Sequence, residues 1–287
     1  MTPPPPIRIE AFRHWLADAI PVQLPNKPAR EQQIKVAMRN IDLTKLLVIY
    51  LSWRQRLITP RPRTVTTRGD VKQHPRWSMH QSEVEAFLKK VEIGDDLTPH
   101  LSRRVFNRGY WPAAHTSSGN KWGDKDFMLN VLGFQHFHFS SAIDPNGLAV
   151  GGSDVLFARV SKETFEVLGL FDHSVFSMDD PSTMTPERQR AWDIHQDMIE
   201  KETRPGAVVI SNMISLSGHS TVTVRAAQRV AKIVGQLDPN LDDPEFFRRQ
   251  DPTLPVLTNP AWVMDHDRLA VQQGSQVIRV SAPQLGN

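Results

Sequence analysis

Cysteine is absent from this 287-residue sequence, which excludes disulfide bonds and thiolate metal sites. Long hydrophobic runs are also missing: no stretch approaches the about 18 apolar residues that a membrane span needs. The first residues, Met-Thr-Pro-Pro-Pro-Pro, lack the basic segment and the apolar stretch of a signal peptide. These absences fit a reducing compartment, so we expect a cytoplasmic protein that has no membrane partner.

A large excess of charge of one sign is lacking too, since the formal net charge is only +3. The cations are nevertheless concentrated between residues 54 and 76, where Asp70 is the single acid. This basic window contains Arg54, Arg56, Arg61, Arg63, Arg68, Lys72 and Arg76. With Trp53 and Trp77 beside it, the window could neutralise phosphates and stack on bases. A solvated basic loop next to two core tryptophans is the alternative reading.

Apolar residues that recur every three or four positions predict several helices. The predicted helices cover 9–19, about 31–58, 82–91, about 186–201 and 221–237. Ser82 and Glu85 form a capping box at the start of the third one. Together with the strands below, they predict an α+β fold in three consecutive regions. These are an N-terminal helical region with the basic window (1–79), a central core (80–180) and a C-terminal α/β segment (181–287).

The stretch from Leu132 to Phe176 predicts a three-stranded antiparallel β-meander. On its first strand, alternation places Phe134, His136 and His138 on one face and the intervening residues on the other. The second strand, 155–160, is rich in apolar and β-branched residues. The third covers 165–171 and is followed by Asp172 and His173.

Histidines and an arginine on one sheet predict an acid–base or phosphate site, with His136, His138, Arg159 and His173 as its candidate catalytic residues. Two alternatives remain open at this point. Arg159 and Asp172 could simply pair while the histidines are partly buried strand residues. The His136-x-His138 spacing could also hold a divalent ion together with His173 and an aspartate, Asp172 or Asp154.

Three short motifs resemble the core of RelE/ParE-type toxins, specifically the YafQ-like branch of ribosome-dependent messenger-RNA endonucleases. Gly94-Asp-Asp-Leu-Thr-Pro-His100 resembles the segment before the first strand, Val155-Leu-Phe-Ala-Arg159 the arginine strand, and His173-Ser-Val-Phe176 the end of the core. The first-strand histidine of the family corresponds to His136 or His138. The resemblance covers about residues 80 to 180. The last motif is one residue shorter than the family pattern, and a long loop precedes the first strand.

The resemblance implies a toxin-like or defence-associated bacterial endoribonuclease that needs no metal or other cofactor. His138 or His136 would be the base, His173 the acid, and Arg159 the clamp on the developing negative charge. Its partners would be RNA, ribosome-associated if the resemblance holds, and a protein antitoxin or regulator. The predicted RNA-binding residues are Arg54, Arg56, Arg61, Arg63, Arg68, Lys121, Lys125 and Phe176.

Two other functions remain open at the level of sequence. One is a non-catalytic module that binds a nucleic acid or a protein through the meander and the basic window. The other is a metal-dependent hydrolase that uses the His136-x-His138 pair.

Overall fold

A computed structural model describes residues 7–22, 28–102, 109–110, 125–177, 184–204, 206–207 and 213–280. Its helices are α1 (Ile7–Ala19), α2 (Pro28–Met38), α3 (Leu43–Arg54), α4 (Pro75–Ile93), α5 (Pro186–Glu202), α6 (Thr221–Leu237) and α7 (Phe246–Gln250). Its strands are β1 (Thr64–Thr67), β2 (Gln135–Phe137), β3 (Asp154–Val160), β4 (Thr164–Asp172), β5 (Ala261–Asp265), β6 (Arg268–Gln273) and β7 (Gln276–Arg279). The α+β fold class is confirmed.

The chain forms two compact units, and one of them is discontinuous in sequence. Unit 1 combines Met1–Gln55, Asn107–Asp124 and Thr221–Gly286, whereas unit 2 combines Arg56–Phe106 with Lys125–Ser220. The predicted regions 1–79, 80–180 and 181–287 have other boundaries, and that division stays a prediction.

Unit 2 is built on a four-stranded sheet with the strand order β1-β4-β3-β2. The pairs β2–β3 and β3–β4 are antiparallel, which confirms the predicted meander. Strand β1 extends this sheet by pairing in parallel with β4. Two parallel strands cannot be joined by a tight hairpin and need a long connection. Between β1 and β4 this connection contains most of the residues of unit 2.

The two faces of this sheet are both covered, as the burial of β3 on both sides requires. On one face, Phe137, Leu156 and Phe165 pack with Phe87 of α4. On the other face, Phe134 and Phe157 pack with Ala191 of α5. The predicted alternation of Phe134 and Phe137 between the two faces is therefore confirmed.

Helix α4 begins seven residues earlier than the capping box at Ser82 predicts. Pro75 takes a first-turn position, where its missing N–H is not needed, and the His74 Nδ1 accepts a hydrogen bond from the Arg76 N–H at 3.2 Å. The helix ends at Gly94, which adopts a left-handed conformation with φ of 82°. A Cβ atom on Gly94 would lie 2.4 Å from the backbone nitrogen of Pro62.

The single long helix predicted for 31–58 is wrong, because the structure has two helices, α2 and α3, in this stretch. Asp42 separates them: its side chain accepts a hydrogen bond from the Lys45 N–H at 2.9 Å and so caps α3. An aspartate side chain competes for backbone donors and favours such a start over a helix interior.

Unit 1 packs α1, α3 and α6 with the antiparallel sheet β5-β6-β7 around one apolar core. Val230 and Val234 of α6 are fully buried in it, together with Leu46 of α3. The ammonium of Lys35 donates to the carbonyl oxygens of Ala17 at 2.9 Å and Asp18 at 2.8 Å, and thereby satisfies the C-terminal end of α1.

Candidate functional site

Three predicted site residues lie together at the end of the unit 2 meander. His136 belongs to β2, His138 follows that strand, and His173 follows β4. The rings of His138 and His173 are stacked, with centroids 6.1 Å apart and an interplanar angle of 26°. Phe176 joins them, since its ring centroid lies 4.9 Å from that of His136 and 6.0 Å from that of His173.

His138 is held in place by a reciprocal pair of hydrogen bonds with His100. The His138 N–H donates to the His100 carbonyl at 2.8 Å, and the His100 Nδ1 donates to the His138 carbonyl at 2.7 Å. His100 is itself buried, and its Nε2 lies 3.1 Å from the Lys90 ammonium. An ammonium can only donate, so this contact requires an unprotonated Nε2.

Burial keeps two of the clustered imidazoles neutral near pH 7. It lowers the pKa of His138 to about 4, and the neighbouring His136, His173 and His100 add to this effect. Burial also lowers the pKa of His136, although Asp126, whose Oδ2 lies 3.6 Å from the His136 Nδ1, opposes it. The His138 Nδ1 is buried and has no hydrogen-bond partner among the described residues.

His173 differs from the other two because it is exposed to solvent. Its Nδ1 lies 2.9 Å from the carbonyl oxygen of Ser153. A carbonyl can only accept, so Nδ1 carries the proton and Nε2 is the nitrogen that remains for proton exchange. The cluster therefore combines a buried, unprotonated imidazole with an exposed imidazole of fixed tautomer.

A second cluster of polar side chains lies at the start of β3. The sequence does not predict that these side chains contact one another. Asp154 is buried and accepts from the guanidinium of Arg76 and, at 2.8 Å, from the Nε2 of His80. Arg76 also donates to Asp172 at 2.8 Å, and Asp172 accepts from the Ser174 N–H at 2.9 Å. Serine and arginine donors together lower the pKa of Asp172.

Arg159 lies elsewhere, in ion pairs on β3. Its Nε donates to Glu166, its register partner on β4, at 3.0 Å, and its Nη1 donates to Glu202 at 2.5 Å. No contact joins Arg159 to the three histidines within the described part of the chain. The predicted alternative partner, Asp172, pairs with Arg76 instead.

The basic window is largely engaged within the protein. Arg63 is buried and donates to three backbone carbonyls, those of Ser161 at 2.9 Å, Thr59 at 3.1 Å and Arg61 at 3.3 Å. Such an arginine holds loops together and has few donors left for phosphates.

The other predicted RNA-binding cations are also mostly occupied or partly covered. Arg68 pairs with Asp197, and Arg54 contacts the Nδ1 of His266 at 2.7 Å. Arg56 is buried, whereas Arg61 and Lys125 are half-buried. Lys121 lies outside the described residues.

Metal binding was the third function open at the level of sequence. Across the described ranges, no group of three or more histidine, aspartate or glutamate side chains is arranged to hold a metal ion. The His136-x-His138 pair therefore has no complete ligand set among these residues. Nor does any helix of the described chain combine the length and the apolar character that crossing a membrane requires.

No known protein was found to be similar to this chain. The similarity to RelE/ParE-type toxins accordingly rests on the three motifs alone and stays a prediction. Searches against protein-family models, curated proteins and solved structures found no match to this chain.

Proposed function

We propose that the protein is a metal-independent endoribonuclease in which His138 and His173 exchange protons with a bound RNA strand. The single observation that supports this proposal is the stacked His138–His173 pair, with ring centroids 6.1 Å apart. Two imidazoles at this separation can reach different oxygens of one phosphodiester. Cleavage by the neighbouring 2′-hydroxyl needs one base and one acid in that arrangement.

The environments of the two imidazoles assign their roles. The lowered pKa of His138 leaves it unprotonated and able to accept the 2′-hydroxyl proton. His173 is exposed, so its Nε2 can take a proton from solvent while Nδ1–H stays bound to the Ser153 carbonyl, and this doubly protonated ring then delivers the Nε2 proton to the leaving 5′-oxygen. Phe176 lies half-buried beside His173, and we assign it the role of stacking on the adjacent base.

The proposal differs in one respect from the mechanism that the family resemblance implies. Arg159 is engaged by Glu166 and Glu202, so we assign it no clamping role. We assign the stabilisation of the developing charge to the protonated form of His173 instead. RNA cleavage would proceed from this chain's own acid and base.

The test is cleavage of a labelled RNA by the purified protein. Cleavage should survive excess chelator and leave 2′,3′-cyclic phosphate ends, and His138→Ala and His173→Ala should each lower the rate by about 10²-fold or more. His266→Asn is the matched control, since His266 is exposed and its φ of 57° is tolerated by asparagine. Chelator-sensitive cleavage, or equal rates in all variants, would contradict the proposal.

A non-catalytic binding module is the second candidate, and two observations favour it. The pKa of about 4 makes His138 a weak base at neutral pH, and the predicted clamp Arg159 is occupied. A binding module would show no cleavage in the parent protein. His173→Ala would then weaken ligand binding itself, whereas the loss of a catalytic acid leaves binding nearly intact.

A further inference from the structure

Helix α6 of unit 1 carries an exposed face that contains cations and no acids. Its sequence, Thr-Val-Thr-Val-Arg-Ala-Ala-Gln-Arg-Val-Ala-Lys-Ile-Val-Gly-Gln-Leu, has no aspartate or glutamate. Arg225, Arg229 and Lys232 are all exposed, as are the interleaved Gln228 and Gln236. We call these five residues the α6 face. The opposite face of the helix is buried, so the helix cannot turn these side chains inward.

The three cations of the α6 face have no ion-pair or hydrogen-bond partner among the described residues. In this they differ from most of the basic window, where Arg68, Arg76 and Arg63 are already bound. The acids that follow the helix are used elsewhere. Asp238 accepts from Arg8 at 3.2 Å and from the Trp262 indole at 2.8 Å, and Asp242 pairs with Arg8 at 2.8 Å.

We propose that the α6 face binds the phosphate backbone of RNA. At about 1.5 Å of rise per residue, Arg225 and Lys232 are about 10 Å apart along the helix axis. Three cations spread over this length can contact more than one phosphate of the same strand. The two glutamines supply side-chain amides, which commonly contact phosphate and sugar oxygens.

A protein partner fits the α6 face less well than a nucleic acid. Stable protein interfaces are centred on buried aromatic or apolar anchors. Beyond the first turn the α6 face presents only arginine, lysine and glutamine, and Val222 is the exposed apolar residue at its start. The choice of RNA over another polyanion rests on the function proposed above.

The experiment measures binding of a 2′-O-methyl RNA oligonucleotide by fluorescence anisotropy across a salt series. The blocked 2′-hydroxyl prevents cleavage, so the result does not depend on whether the protein is a ribonuclease. The variant Arg225→Gln/Arg229→Gln/Lys232→Gln should bind at least tenfold more weakly at low salt. Its slope of log affinity against log salt should be smaller by about 2, since each lost contact removes about 0.7 for a single strand.

Two controls distinguish the α6 face from net charge and from misfolding. Lys89→Gln/Lys162→Gln/Arg248→Gln removes three other exposed cations and should leave the affinity within about twofold of the parent, since these cations lie outside the α6 face. Arg225→Lys/Arg229→Lys keeps the charge and should retain binding. Equal weakening in both triple variants overturns the proposal.

The choice of RNA has its own test. Equally tight binding of a DNA duplex of the same sequence, lost in the same α6 variant, would overturn RNA as the partner. Absence of RNA cleavage together with loss of binding in the α6 variant would contradict the proposed function and support the α6 face. RNA cleavage by the parent protein, together with unchanged RNA binding in the α6 variant, would support the proposed function and contradict the α6 face as the binding site.

Discussion

Asp154 shows at the scale of one residue why the candidate site could be predicted only in part. Its Oδ1 meets Arg76 and its Oδ2 meets His80, residues that are 78 and 74 positions away in sequence. The sequence marks Arg76 as one cation of the basic window and Asp154 as a candidate metal ligand. No local pattern links the two, because only the packing of α4 beside the sheet brings them together. The proximity of His138 and His173 could be predicted, since strand alternation and the length of the β3–β4 hairpin determine where the two side chains lie.

The Asp154 cluster leads to a prediction about stability. Asp154→Ala removes the buried acceptor shared by Arg76 and His80, whereas Arg76 keeps its bond to Asp172, so the free energy of unfolding should fall by about 1.5 to 3 kcal/mol. Glu92→Ala breaks the exposed pair between Lys89 and Glu92 and should cost less than about 1 kcal/mol. Urea unfolding followed by circular dichroism measures both. A similar, small loss in the two variants would show that Asp154 is not held in a buried pair.

At the scale of elements, the meander could be predicted and the helix ends could not. The strands follow from their apolar and β-branched composition, and the register then places His138 beside His173. The start of α4 depends on the His74 ring nitrogen acting as a cap, which is not a usual capping group. The break between α2 and α3 depends on Asp42, which caps α3. The apolar periodicity of the sequence continues on both sides of Asp42 and therefore predicts one unbroken helix.

The end of α4 offers a matched pair of glycine substitutions. Gly94 and Gly147 have nearly the same φ, 82° and 79°, but a Cβ would touch the Pro62 backbone only at Gly94. Gly147→Ala should therefore cost only the left-handed strain of about 1 to 2 kcal/mol. Gly94→Ala should cost clearly more, because the chain at Arg61 and Pro62 must also move.

Thermal unfolding of the two glycine variants measures the difference. Equal melting temperatures for Gly94→Ala and Gly147→Ala would mean that the backbone at Pro62 moves away from the new Cβ atom at no cost in stability. A lower melting temperature for Gly94→Ala alone would confirm that the end of α4 and the segment before β1 constrain each other.

At the scale of the whole molecule, buried neutral histidines couple stability to pH. Burial lowers the pKa of His219 to about 3, with Lys125 and Arg56 adding to the effect, and that of His138 to about 4. It lowers the pKa of His100, His136 and His195 as well. In the unfolded chain these groups regain a pKa of about 6.5. Between the folded and unfolded pKa values the unfolded chain binds more protons, so acid favours unfolding.

We therefore expect the melting temperature to fall as the pH is lowered from 7 to 5. The dependence should reach at most about 1.4 kcal/mol per pH unit for each histidine kept neutral. His219→Asn removes one such group and can retain the hydrogen bond that the Nδ1 makes with the Ser217 hydroxyl at 2.9 Å, so its pH dependence should be shallower. Calorimetry at several pH values measures this, and a melting temperature that is constant or higher at pH 5 would contradict it.

The discontinuity of unit 1 bears on the order in which the protein can fold during its synthesis. A ribosome releases the chain from the N-terminus, so all of unit 2 has emerged by Ser220. Helices α1 to α3 have appeared earlier still, but their partners α6, β5, β6 and β7 are synthesised only after unit 2. The apolar residues of α1 to α3 therefore stay incompletely covered until α6 and the strands β5 to β7 have been synthesised. This is the interval in which a nascent chain is most exposed to chaperones and to aggregation.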